Sequence, residues 1–132
     1  MQIIAGIVTC LFSLALIALL IVLLTKKAWA ISFISSFAST AKAHFIEQSL
    51  RLIAGACILI YSENMLFPKI FNLFGWIFMI TSAILMLTPW KWHQSFGKSA
   101  MPLVIKNLIL YAFAAAVMGM IILYCVIAPL DL

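Results

Sequence analysis

Four long apolar runs, separated by short polar or aromatic stretches, leave this chain few folds to choose from. They extend from about Ile3 to Leu24, His44 to Tyr61, Lys69 to Leu87 and Pro102 to Ile127. A helix rises about 1.5 Å per residue and a hydrocarbon core is about 30 Å thick, so runs of about 20 residues can span it. Charged residues make up only 8% of the 132 residues, too few to coat a water-soluble surface, where about 25% is usual. The expected fold class is therefore an all-α membrane protein with four transmembrane helices in one domain, residues 1–132. The first run has no basic residue before it, no polar segment with a small-residue cleavage site after it, and Lys26-Lys27 at its end. That pattern is the reverse of a cleavable signal, and the run is expected to remain as a helix.

The connectors after the first and third runs resemble each other. Shifted by 63 residues, Leu24, Thr25, Trp29, Ser32, Phe33 and Ser36 meet Leu87, Thr88, Trp92, Ser95, Phe96 and Ser99. Ile17/Ile80, Ile21/Ile84, Ile58/Ile121 and Tyr61/Tyr124 extend the match into the apolar runs. The chain thus reads as a tandem duplication of a helix–interfacial connector–helix unit, with half-repeats at about 3–61 and 66–124. Two helices per half would relate the halves by an axis along the membrane normal.

The first connector, Thr25–Ala43, spaces Trp29, Phe33 and Phe37 four apart among Ser32, Ser35, Ser36 and Ser39. This suits a short amphipathic helix in the headgroup region, with Trp29 and Phe33 as anchors. The second connector, Thr88–Met101, repeats the spacing with Trp92 and Phe96 as anchors. Gly97 is expected to make any helix there shorter, and Pro102 to open the fourth transmembrane helix. Between the second and third runs, Ser62–Pro68 reads as a hairpin loop with Met65, Leu66 and Phe67 resting on the membrane surface. Small residues four apart, Ala5, Thr9 and Ser13 and then Ala112/Ala116 and Ala115/Gly119, mark faces for close helix approach.

Basic residues set the orientation. Lys26, Lys27, Lys42, Arg51, Lys91, Lys98 and Lys106 adjoin the two connectors, and only Lys69 lies on the other side. Both long connectors are expected in the cytoplasm and both termini outside, in a bacterial cytoplasmic membrane. The net charge of +5 is spread over helix ends rather than gathered in a patch. This fits membrane lipids as partners and excludes nucleic acid as an expectation.

Chemistry is sparse. No nucleotide-binding loop, HExxH, GxSxG or calcium-loop pattern occurs, and the three acidic residues, Glu47, Glu63 and Asp131, fall at separate boundaries. His44 and His93, both expected at the cytoplasmic surface, make a poor metal site, and no cofactor is expected. Cys10, Cys57 and Cys125 share one membrane depth and would hold a soft ion such as copper(I) only if their faces converged.

The most polar transmembrane segment, His44 to Arg51, supplies the candidates His44, Glu47, Gln48 and Arg51, with Lys106 and Asn107 on the same side. Glu47 and Arg51 are four apart in the favourable acidic-first order. Arg51 is expected to pair with Glu47 or to reach back to the cytoplasmic interface. The reading of function is a structural or accessory component of a membrane complex, homo-oligomeric or joined to other membrane subunits. The alternatives are a small oligomeric transporter or a membrane enzyme at the cytoplasmic interface. Coupled transport is disfavoured because the first and third runs hold no ionisable residue in their interior.

Overall fold

The computed structural model describes residues 1–36 and 40–131, without the side chains at 93 and 131. The described residues form six α-helices and no strand: α1 (Gln2–Thr25), α2 (Lys27–Ser36), α3 (Ala41–Tyr61), α4 (Pro68–Leu87), α5 (Trp90–Lys106) and α6 (Leu108–Ile127). Short 3-10 turns, Ser62–Asn64 and Ala128–Asp131, follow α3 and α6. Four stretches, Gln2–Thr25, Ala41–Asn64, Pro68–Leu87 and Leu108–Leu130, are long and apolar enough to cross a membrane. The expected roles of Phe37, Ser39 and the His93 side chain lie outside the described residues.

Local chemistry sets the breaks between helices. Lys26 leaves helical geometry at φ −139° and ψ 64°, which separates α2 from α1. Thr40 caps α3 by accepting the Ala43 N–H on its hydroxyl at 3.1 Å. α4 opens on Pro68, whose missing N–H is no loss in a first turn.

Two expectations about connectors need correction. α5 has 17 residues against 10 in α2, so Gly97 does not shorten it. Glycine lowers helix propensity by about 1 kcal/mol but keeps its N–H, and the ladder continues through it. Pro102 lies inside α5 rather than opening the last long helix. The break falls at Asn107, where both the backbone N–H and the side-chain Nδ2 donate to the Leu103 carbonyl, at 3.2 and 3.1 Å.

The loop between α3 and α4 also differs from its reading as a surface hairpin. Met65 is buried, and Leu66 packs on the same apolar core of Ile58, Phe71, Ile122, Cys125 and Val126. The Leu66 N–H donates to the Cys125 carbonyl at 3.0 Å and ties the loop to α6. Phe67 alone of the three stays exposed. It adopts φ 56°, a left-handed conformation that costs about 1–3 kcal/mol for a side chain of this kind. The anchored Met65 and Leu66 on one side and Pro68 on the other hold it there.

The long helices pack in the order α6, α1, α3, α4, with α2 folded against α1. Glycines set the closest approaches. A Cβ at Gly119 would stand 2.6 Å from the Ser13 carbonyl oxygen, and one at Gly75 would stand 3.0 Å from the Gly55 carbonyl oxygen. Of the small residues read from the sequence, Ala5, Thr9 and Ser13 are buried on α1 and Ala112, Ala116 and Gly119 on α6, whereas Ala115 is only half-buried. The outer faces carry the large apolar side chains, on α1 Ile3, Ile7, Leu11, Leu14 and Ile21. Both halves run long, short and long helix, but they pack differently. α1 lies on α3 within the first half, whereas α4 has its main contact with α3 rather than with α6.

Replacing Gly119 by Ala should therefore lower stability by about 1–3 kcal/mol, because the new methyl meets backbone that cannot turn aside. Gly6→Ala should cost less, since its Cβ would meet only the Tyr61 ring, at 2.9 Å. Thermal unfolding of both variants in one detergent checks the order; equal melting points would contradict the α1–α6 contact.

Candidate functional site

The polar side chains larger than a hydroxyl that face the bundle interior lie on one face of α3. His44, Gln48 and Arg51 fall at helical spacing i, i+4 and i+7, and the same face continues through Gly55 and Ile58. His44 and Gln48 are 1% and 0% exposed, so this face is turned inward and not to a surrounding solvent. Glu47, beside it, is half-buried.

His44 has a structural task. Its Nε2 lies 3.0 Å from the Leu85 carbonyl oxygen on α4. A carbonyl only accepts, so Nε2 carries the proton in this bond. The helical partner of that carbonyl would be the N–H four residues on, and that residue is Pro89, which has none. His44 thus supplies the donor that the proline withholds. The other buried hydroxyls are satisfied within their own helices: Thr9 donates to the Ala5 carbonyl, Ser13 to that of Thr9 and Ser82 to that of Phe78, at 2.8, 2.8 and 2.7 Å.

Gln48 and Arg51 are not so provided for. Neither amide atom of Gln48 has a hydrogen-bond partner, and the buried Nε of Arg51 has none. Leaving a buried polar group unsatisfied costs about 1–3 kcal/mol, which sets the pair apart from the buried hydroxyls. The Arg51 guanidinium carbon sits 4.9 Å from the centroid of the Phe78 ring. Phe78 stacks on Phe74 and leans on Phe12 of α1, both at 5.6 Å between centroids. A cation over an aromatic face gains about 0.5–2 kcal/mol.

This overturns the expected Glu47–Arg51 pair. Among the described residues no ion pair joins them. Arg51 is the central residue of the 21 in α3, and Phe78 lies equally central in α4, so the side chain meets the ring at mid-length of the bundle. The i, i+4 spacing made the pair possible, but the aromatic face of α4 provides the closer partner.

The remaining candidates are not brought to this face. Lys106 and Asn107 line a separate cleft of about 450 Å³ with Lys27 and Phe113 at the α5–α6 junction. Trp29 and Phe33 stack face to face on α2, with ring centroids 5.3 Å apart and planes 8° from parallel. Trp92 and Phe96 are strongly exposed on α5. Cys10, Cys57 and Cys125 do not gather, and among the described residues no group of three or more His, Cys, Asp or Glu side chains forms a metal-binding set. Sequence reasoning missed Phe78 and the Leu85 carbonyl. The second had a signal, the proline four residues after Leu85. Comparison of the chain with protein-family models, curated proteins and solved structures gives no match.

The His44 bond makes a testable cycle. His44→Leu should destabilise the bundle by about 1–3 kcal/mol by orphaning the Leu85 carbonyl. Pro89→Ala restores a backbone donor four residues on, so it should recover much of that loss in the His44→Leu background and little in the parent. Thermal melts of the four proteins measure the coupling; additive effects would mean that the two residues do not share the carbonyl.

Proposed function

We propose that this is an integral membrane protein that serves as a structural or accessory component of a membrane complex, acting through the polar face of α3. One observation carries the reading: Arg51 lies mid-helix against Phe78, without a carboxylate of the described residues in ion-pair range. An arginine at the centre of a bilayer costs at least about 2.5 kcal/mol, and the aromatic ring offsets only part of that. A carboxylate on a transmembrane helix of another subunit would supply the missing counter-charge at Arg51, which is only half-buried. The surroundings of Arg51 are the apolar rings of Phe78, Phe74 and Phe12, which suits function by packing rather than by catalysis.

Several features support placement in a bilayer. Thr9, Ser13, His44 and Gln48 are buried while large apolar side chains such as Ile3, Leu11, Leu73, Ile77 and Phe113 are exposed, an order that water would oppose. Lys26, Lys27, Lys42, Lys91, Lys98 and Lys106 lie toward the α2 and α5 end, with Lys69 toward the other. We read the former end as cytoplasmic and the termini as external, in a bacterial cytoplasmic membrane; thiol labelling from the outer side tests this.

The duplication is part of the same proposal. A two-fold axis that maps α1 on α4 and α3 on α6 exchanges the α1–α6 pair with the α4–α3 pair, the two most extensive contacts. The shift of 63 residues carries Gly75 to 12 and Gly55 to 118, one position from the Ser13–Gly119 contact.

A second reading is favoured by Gln48. Its unpartnered amide Nε2 beside Arg51 would donate to an anion passing through a small oligomeric transporter.

The test is purification of the full chain in mild detergent from its native host. A co-purifying membrane protein with an acidic residue inside a span should be retained by the parent and by Arg51→Lys, and lost with Arg51→Leu. Restoration by changing that acidic residue to Leu in the Arg51→Leu background would establish the pair. An unchanged set of co-purifying proteins with Arg51→Leu would contradict the reading.

A further inference from the structure

The end of the bundle that holds the N-terminus and the α3–α4 loop has its own cavity, remote from Arg51. It measures about 700 Å³ and is walled by Ile3, Ile7 and Leu11 of α1, Leu66 of the loop and Val126 and Leu130 near the chain end. That volume lies within the range of small-molecule sites, about 300–1,000 Å³. Its shape is fixed by specific contacts. Asn64 Nδ2 donates to Gln2 Oε1 at 2.9 Å across the rim, and the loop is tied to α6 by the Leu66 N–H on the Cys125 carbonyl. Gly6 brings the Tyr61 ring against α1 beside it, since even a Cβ there would approach the ring to 2.9 Å.

Charge stands only at the edge. Glu63 belongs to the cavity lining and also to a smaller groove of about 250 Å³ next to it, which Lys69, Ser62 and Asn72 complete. An apolar chamber thus opens beside one carboxylate and one ammonium group, both exposed at the same end of the bundle.

We propose that this end binds a phospholipid with a primary-amine headgroup, phosphatidylethanolamine in chemical class. An acyl chain fills the apolar chamber, the phosphate meets Lys69 with the exposed Asn72 amide as a further donor, and the headgroup ammonium donates to Glu63. The carboxylate selects for a cationic N–H donor: a quaternary ammonium lacks the N–H, and a glycerol headgroup has O–H donors but no positive charge. The site goes beyond the complex-forming role of α3 and shares no residue with it.

Native mass spectrometry of the full chain in detergent, titrated with phosphatidylethanolamine, phosphatidylcholine and phosphatidylglycerol of identical acyl chains, tests it. Phosphatidylethanolamine should be retained about tenfold more strongly than either other lipid. Glu63→Gln should abolish that preference, and Lys69→Gln should weaken all zwitterionic binding. Ile7→Trp, which fills the chamber from an exposed position, should lower binding of all three lipids. Arg51→Leu should leave the preference intact, which separates this site from the α3 face. Equal retention of the three lipids, or an unchanged preference in Glu63→Gln, would overturn the proposal.

Discussion

The contact between Gly55 and Gly75 is the constraint on which the interior depends. With a side chain at either position, the carbonyl of one helix would meet the Cβ of the other at 3.0–3.2 Å, so α3 and α4 could not approach as they do. Their antiparallel register follows from that contact. It brings His44 to Leu85, Arg51 to Phe78 and Gln48 to the level of Ser82. A helix pair held farther apart would leave His44 short of its carbonyl and let Arg51 swing away from the ring. The backbone of two glycines thus determines where the polar groups of α3 can be satisfied, and where they cannot.

The two ends of α3 carry their polar residues in different ways. Near its start, the requirement of Pro89 and the donor of His44 cancel, and the result is a packed, neutral contact. Four and seven residues further along, Gln48 and Arg51 have no such complement within the chain. Hydroxyls elsewhere in the interior return to their own backbones at i−4, which costs the bundle little. The contrast makes the Gln48–Arg51 segment stand apart from ordinary buried polarity, and it is the basis of the proposed role in a complex.

Much of the architecture could be read from residues alone because the signals were long. Four apolar runs exceed what chance or a soluble core would give, and the small residues at Thr9, Ser13, Ala112, Ala116 and Gly119 recur at helical spacing and lie at the helix contacts. The short-range readings were weaker where two local preferences competed. Pro102 suits a helix start, yet it is tolerated inside α5 and the chain breaks at Asn107 instead. Met65 looked like a surface residue because a loop was expected to lie on the membrane, but its apolar side chain fills the gap between α3, α4 and α6. Arg51 was the hardest case. Helical spacing offered Glu47 as a partner, while the direction of a long side chain depends on what the neighbouring helix presents, and Phe78 is 27 residues away in sequence.

The depth of Arg51 is the point on which the functional reading turns. Solid-state NMR on the protein in phospholipid bilayers, with labelled Arg51, measures it directly through two contacts: guanidinium carbon to lipid phosphorus and guanidinium carbon to the Phe78 ring. We expect a close contact to the ring, near the 4.9 Å of the structure, and no measurable dephasing by phosphorus. Strong coupling to phosphorus with no contact to Phe78 would mean that Arg51 reaches the headgroups, and the unpaired intramembrane charge at the centre of this account would not exist.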